Sequence, residues 1–297
     1  MTMPMMPPQF CKPAFGWLSR LFQGVLITTL ILLLSGCSTR FFYNQLDWVL
    51  PWYLEDYVSF EDAQARELDS QIAQFLSWHR TQQLPEYADF LGQVNLSIPP
   101  STPQTVNQWL LKVEPKINTL YQGVGQYLGP LAQTLTPAQQ KELINNLTEK
   151  TQAYAQTYVN IGQAQAREMG TEKMLALFSD WLGELTPKQS RQIKRFAQST
   201  HWLSPELLYA RQQWLEALEN TFNSPKPLQA SDIQALFKDR KTFWRPQLKT
   251  QYKANRTQLA HLIFQTLDQA SPQQIQHLKA RIASYRQDFT TLSQSSS

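Results

Sequence analysis

His79 is the residue best placed, by type and by neighbours, to move a proton. It follows an apolar stripe of Leu68, Ile72 and Phe75, with Trp78 and Arg80 on either side. A carboxylate such as Asp47, Asp56 or Glu86 could orient its imidazole, and a His–carboxylate pair is usable for general acid–base chemistry of a hydrolase-like kind. The plainer reading, which we prefer, is a buried, hydrogen-bonded structural histidine. His201, His261 and His277 stand alone. No two histidines have the i, i+4 spacing of a helical metal site, and no Glu-x-x-His occurs. There is no G-x-S-x-G, no glycine-rich phosphate loop and no dinucleotide fingerprint. The expectation is a non-enzymatic protein with no catalytic residue, no metal and no cofactor beyond covalent lipid.

The lipid comes from the other reactive residue type. The chain has two cysteines, Cys11 and Cys37. Residues 1–36 read as an export signal, with Lys12 and Arg20 ahead of an apolar core from Leu21 to Leu33. That core is shorter than the roughly 20 residues that span a bilayer. Ser35-Gly36 then precedes Cys37, a pattern that resembles a bacterial lipobox. The resemblance implies diacylation of the Cys37 thiol, cleavage before it and acylation of the new amino terminus. One acyl chain binds a membrane marginally, whereas several hold it stably. Ser38 stands where, in the enterobacterial sorting rule, an aspartate would favour the inner membrane. Its presence implies the outer membrane, facing the periplasm.

Cleavage would leave residues 37–297 as a single helical domain, with a possible sub-boundary near 97–104. With Cys37 lipidated, no disulfide is available, and the body must hold itself together by packing. Net charge is a modest +4. Acids crowd Glu55 to Asp69 and bases crowd Lys238 to Arg256, two segments expected to face each other or to be solvated. Nucleic acid is not an expected partner in such a compartment. The membrane, through the anchor, and an envelope protein are.

The hydrophobic period is helical nearly everywhere, which predicts an all-α bundle of roughly eight to ten helices. The last helix carries Ile275, Leu278, Ile282, Tyr285, Phe289 and Leu292 at alternating spacings of 3 and 4, a narrow seam for one partner. Ser271-Pro272, Thr136-Pro137, Thr186-Pro187 and Ser204-Pro205 all read as a hydroxyl N-cap followed by proline at the first helical position. Val58-Ser59 precedes a further helix. Others are expected at 85–96, 103–133, 171–184, 231–241 and 246–268. Breaks are expected at Ser97–Pro103, Gly170, Thr200–Ser204 and Asn223–Ala230. The irregular spacing of the starts argues for a reused capping device, not a repeat of fixed period.

Two segments could form surfaces. Phe41, Phe42, Tyr43, Trp48, Trp52, Tyr53, Tyr57 and Phe60 are eight aromatics in twenty residues. Burial in the bundle is the preferred expectation. The alternatives are a place at the leaflet surface, where amphipathic rings are favoured, and a protein-binding face. Asn44 and Asp47, one turn apart, could satisfy a buried donor such as an indole N–H. Lys241, Arg245, Lys249, Lys253 and Arg256 would form a basic ridge for anionic headgroups if one helix ran on through Pro246. A solvated face is the plainer reading.

These residues also carry a resemblance. Tyr43-Asn44-x-Leu46-Asp47-Trp48, then Trp52, Asp56 and Tyr57, then Trp78-His79-Arg80 and Leu84-Pro85-x-Tyr87, is similar to the pattern of an uncharacterised family of bacterial helical lipoproteins. This chain departs from it at Ser59-Phe60, where Leu-Thr is usual, and Pro51 interrupts the aromatic segment. The resemblance implies a fold and an address, and no activity. More locally, Leu135-Thr136-x-x-Gln139 and Leu185-Thr186-x-x-Gln189 resemble the Leu-Thr-x-x-Gln motif of small periplasmic chaperones of the Spy and CpxP type.

Overall fold

The computed structural model describes residues 39–295. The export signal over 1–36 and Cys37 lie outside the described residues. The chain divides into two units, 1–43 and 44–297. Of the first, residues 39–43 are described and are helical.

The second unit is all-α, with no strand among the described residues. Its helices are α1 (Leu46–Glu55), α2 (Asp62–Trp78), α3 (Leu84–Leu96), α4 (Pro103–Gln133), α5 (Pro137–Tyr158), α6 (Gly162–Leu182), α7 (Pro187–Ser199), α8 (Ser204–Phe222), α9 (Ala230–Leu236), α10 (Pro246–Asp268) and α11 (Pro272–Gln294). A π-helical turn, His79–Gln83, joins α2 to α3. Pro85 follows it at the start of α3. A proline there would collide with the carbonyl four residues back in a regular helix, and the wider turn relieves the collision.

The long α4 is the central strut. It packs against α2, α9 and α10, while α5 lies along α8, α6 along α7, and α11 along α3. Small residues let neighbours come close to it. A β-carbon on Gly123 would sit 2.6 Å from the Trp78 ring. The seam on α11 is used as its spacing implies: Leu278 and Ile282 join Ile98, Leu182 and Leu267 in one apolar cluster.

Three helices start at the caps expected for them, and a fourth, α4, starts in the same way. Thr102, Thr136, Thr186 and Ser271 each accept a hydrogen bond from the amide three residues on, with proline next in line. Ser204 does not follow them. It lies inside the first turn of α8, behind Leu203, which makes no side-chain cap. Gly170 is not a break either, since α6 runs through it. The break falls at 159–161, where Gly162 takes φ +79°, a left-handed conformation that glycine adopts without cost. The helix expected over 231–241 ends at Leu236 and gives way to turns.

The capping boxes do more than end helices. Gln64, three residues into α2, and Gln139, three into α5, donate to each other's side-chain oxygens at 3.0 and 2.6 Å. Gln64 also donates to the Thr134 carbonyl and Gln139 to that of Ser59. Each oxygen accepts, in addition, from a backbone amide at its own helix start, Glu61 or Thr136. The same clasp recurs between α7 and α11. Gln189 and Gln274 donate to each other at 3.0 Å. They also reach the Thr266 and Glu184 carbonyls and accept from the Thr186 and Ser271 amides. All four glutamines are buried. Buried amides are stable only when paired, and here every polar atom is paired.

Candidate functional site

Helix α1 carries two faces. Leu46, Leu50 and Leu54, four residues apart, pack against the cluster of Leu68, Ile72, Leu76 and Leu131. Trp48, Trp52 and Tyr53 lie on the other side and are 59%, 63% and 47% exposed. The expected burial of the aromatic segment is therefore overturned at these residues, and Phe41 and Phe42 of the shorter unit are exposed as well. The physical reason is in the spacing. The leucines form an aliphatic stripe at i, i+4 and i+8 that takes the core position, which leaves the indoles facing solvent. Pro51 does not interrupt the helix; α1 continues through it.

Trp48 is held from its own helix. Its indole N–H donates to Gln45 Oε1 at 2.6 Å, and its backbone N–H donates to Asp47 Oδ1 at 3.0 Å. Asn44 serves another residue, accepting from the Arg80 guanidinium at 3.3 Å. That bond ties the start of the aromatic segment to the Trp78-His79-Arg80 stretch, 36 residues apart in the chain. Asp56 is exposed at the C-terminal end of α1. Tyr53 and Tyr57 share a hydroxyl–hydroxyl hydrogen bond of 2.7 Å. Burial, with that bond, pushes the Tyr57 phenol up to about 12. Tyr43 belongs to the shorter unit.

His79 lies in a ladder of rings. Phe75 stacks 6.1 Å away, and Tyr87 meets it edge-on at 5.6 Å. Trp78 and Tyr127 flank Phe75, and Tyr87 leads on to Phe289. Burial lowers the His79 imidazole to about 4, so it is neutral across the physiological range. Two of the three carboxylates considered for it are engaged elsewhere, and the third, Asp56, is exposed at the end of α1. Glu86 binds Lys116 at 2.8 Å, and Asp47 caps the Trp48 amide.

The basic residues do not form one ridge. The helix begins at Pro246, so Lys241 and Arg245 precede it. Lys241 and Arg256 converge on Glu114 of α4, Arg256 at 3.1 Å. Arg245 grips Glu206 of α8 through two bonds of 3.1 Å and lies 3.9 Å above the Tyr209 ring. Lys249 and Lys253 are exposed. Thus the carboxylates that meet this basic segment come from α4 and α8, not from Glu55–Asp69. Sequence reasoning missed Glu114, a lone acid on a long helix with nothing in its local pattern to mark it. It also passed over the leucine stripe of α1, which the fourfold spacing could have revealed.

Among the described residues, no group of three or more His, Cys, Asp or Glu side chains could hold a metal ion. No helix among them is long and apolar enough to cross a membrane. A family model described as a family of unknown function (DUF6279) matches residues 56–249. The match begins after Trp48 and Trp52 and includes Asp56, Trp78, His79 and Arg80. No curated protein and no solved structure matches the chain.

Proposed function

We propose, for a chain that belongs to the DUF6279 family of unknown function, a non-enzymatic role as an outer-membrane lipoprotein facing the periplasm. Acyl chains on Cys37 would hold the helical body to the leaflet, and the body would bind envelope proteins as an adaptor or in a chaperone-like way. The observation that carries this reading is the outward aromatic face of Trp48, Trp52 and Tyr53. Large exposed rings are the side chains that most often dominate protein–protein binding. Their helix begins nine residues after Cys37, so the anchor and the binding face share one short stretch of chain. His79 supports the non-enzymatic side, because a neutral imidazole enclosed by rings is poorly disposed to exchange protons with a substrate.

Two experiments test the reading. Cys37→Ser should abolish palmitate incorporation and release the protein from the outer-membrane fraction; unchanged fractionation would sink the anchor. A photo-crosslinking amino acid at Trp52, activated in living cells, should give adducts with envelope proteins. One discrete adduct favours an adaptor, and a ladder favours a chaperone-like role. No protein adduct would overturn the binding claim.

A further inference from the structure

Two adjoining cavities of different character meet at Tyr57, just past the end of α1. The first, about 260 Å³, is walled by apolar side chains, among them Leu131, Leu143, Leu218 and Ile233. The second, about 380 Å³, is bordered by Lys150, Arg211 and Arg240 together with aromatic rings. Tyr57, Leu147, Trp214 and Phe237 line both, so the chambers share a wall. No aspartate or glutamate lines either one.

The three cations of the second chamber have no carboxylate partner among the described residues, unlike three bases of the basic segment. Lys241, Arg245 and Arg256 have carboxylate partners. Lys150 instead lies 5.6 Å above the Tyr57 ring, Arg211 4.9 Å above Tyr154, and Arg240 5.3 Å from Trp244. Rings steady a cation without neutralising it. Lys150 and Arg211 are exposed, whereas Arg240 is half-buried and donates to the Tyr252 hydroxyl at 3.3 Å, which leaves its charge without a carboxylate. The positive charge therefore stands at the solvent side, with unfilled apolar space behind it. An apolar void of this kind forfeits contacts on its walls and does not welcome water. A ligand with an apolar body and an anionic end answers both features.

We infer that the paired chambers form a binding site for one anionic amphiphile, with the end of its acyl chain in the apolar chamber and its carboxylate or phosphate head on Lys150, Arg211 and Arg240. The site does not depend on lipid bonded to Cys37, and its test reads a different part of the protein.

The full chain, held in a neutral maltoside detergent, is photolabelled with a palmitate analogue carrying a diazirine on the chain, and the adducts are mapped by peptide mass spectrometry. Labelling should fall on the walls of the apolar chamber, on peptides that carry Leu131, Leu143, Leu218 or Ile233. Unlabelled palmitate or an acyl lysophosphatidate should compete, and the better competitor names the head as carboxylate or phosphate. A neutral monoacylglycerol should compete far less. Lys150→Glu combined with Arg211→Glu, both at exposed positions, should weaken labelling about tenfold, the loss expected when a charged hydrogen-bond partner is removed. Leu218→Trp should block labelling by filling the space, with circular dichroism confirming that the helices remain. Adducts confined to residues outside both chambers would overturn the inference. So would equal competition by the monoacylglycerol, or unchanged labelling after charge reversal.

Discussion

Gln189 and Gln274, 85 residues apart in the chain, lie side by side in the interior and exchange amide hydrogen bonds of 3.0 Å in both directions. Each also satisfies a backbone amide at its own helix start, so one pair of side chains fixes two helix ends against each other. Gln189 is fully buried. Gln189→Leu would strip Gln274 of a donor and an acceptor and leave the Thr186 amide and the Thr266 carbonyl without their side-chain partner. An orphaned buried polar group costs about 1–3 kcal/mol, and more than one is created here, so a loss of about 3 kcal/mol is expected in urea unfolding. The double variant Gln189→Leu with Gln274→Leu should lose less than the sum of the two single losses, because each single change already orphans the other's partners.

The depressed His79 makes stability depend on pH in one direction. Its imidazole titrates near 6.5 when unfolded and near 4 when folded, because burial penalises the charged form. Between those values the unfolded chain binds the extra proton. Stability is therefore full above pH 6.5 and declines as pH falls toward 4, by up to about 3 kcal/mol. His79→Phe, which keeps a ring in the ladder, should remove that share of the slope. An unaltered pH profile in the variant would place the titration elsewhere.

Gly123 should tolerate no side chain. The added β-carbon of Gly123→Ala would meet two carbons of the Trp78 ring at 2.6 and 2.7 Å. The indole is wedged beside Phe75 and Tyr127 and has little room to yield. Overpacking of this kind costs about 1–3 kcal/mol, offset slightly by alanine's better helix propensity. A thermal midpoint equal to that of the parent would show that the ring can move.

Trp48→Ala should do the reverse of what an aromatic core would predict. The indole is 59% exposed, and its N–H bond is to Gln45, three residues away. Removing it should change stability by less than about 1 kcal/mol in denaturant unfolding. Trp48→Ala with Trp52→Ala should instead diminish crosslinking from α1 in cells, if the face is used for binding.

Much of this architecture is legible in the sequence, and the reasons differ by element. Helix α10 and helix α4 begin and end where their patterns say, because proline at the first helical position fixes φ and excludes an earlier start. The α11 seam reads correctly because a narrow stripe has one partner to find. Gly170 does not break its helix because glycine in a helix interior is only a modest penalty, which tertiary contacts override, whereas the positive φ of Gly162 depends on a chain path no local pattern states. The aromatic face is hidden from any expectation based on residue size, because three leucines at every fourth position outrank larger rings for the core. The glutamine clasps were half visible. Each Thr-x-x-Gln predicts its own capping box, but that two boxes meet is a matter of pairs 75 and 85 residues apart.

The two clasps also have an order. The first joins Gln64 to Gln139 and the second Gln189 to Gln274, so the intervals they close follow one another and do not nest. A chain that emerges from its amino terminus can fasten the first loop once α5 has begun, without waiting for anything beyond it. The entropic cost of each closure rises only with the logarithm of a loop length that is nearly the same in both, so neither is the harder knot to tie. Assembly can then proceed as two successive latchings, each locking a little over a quarter of the protein before the next segment arrives.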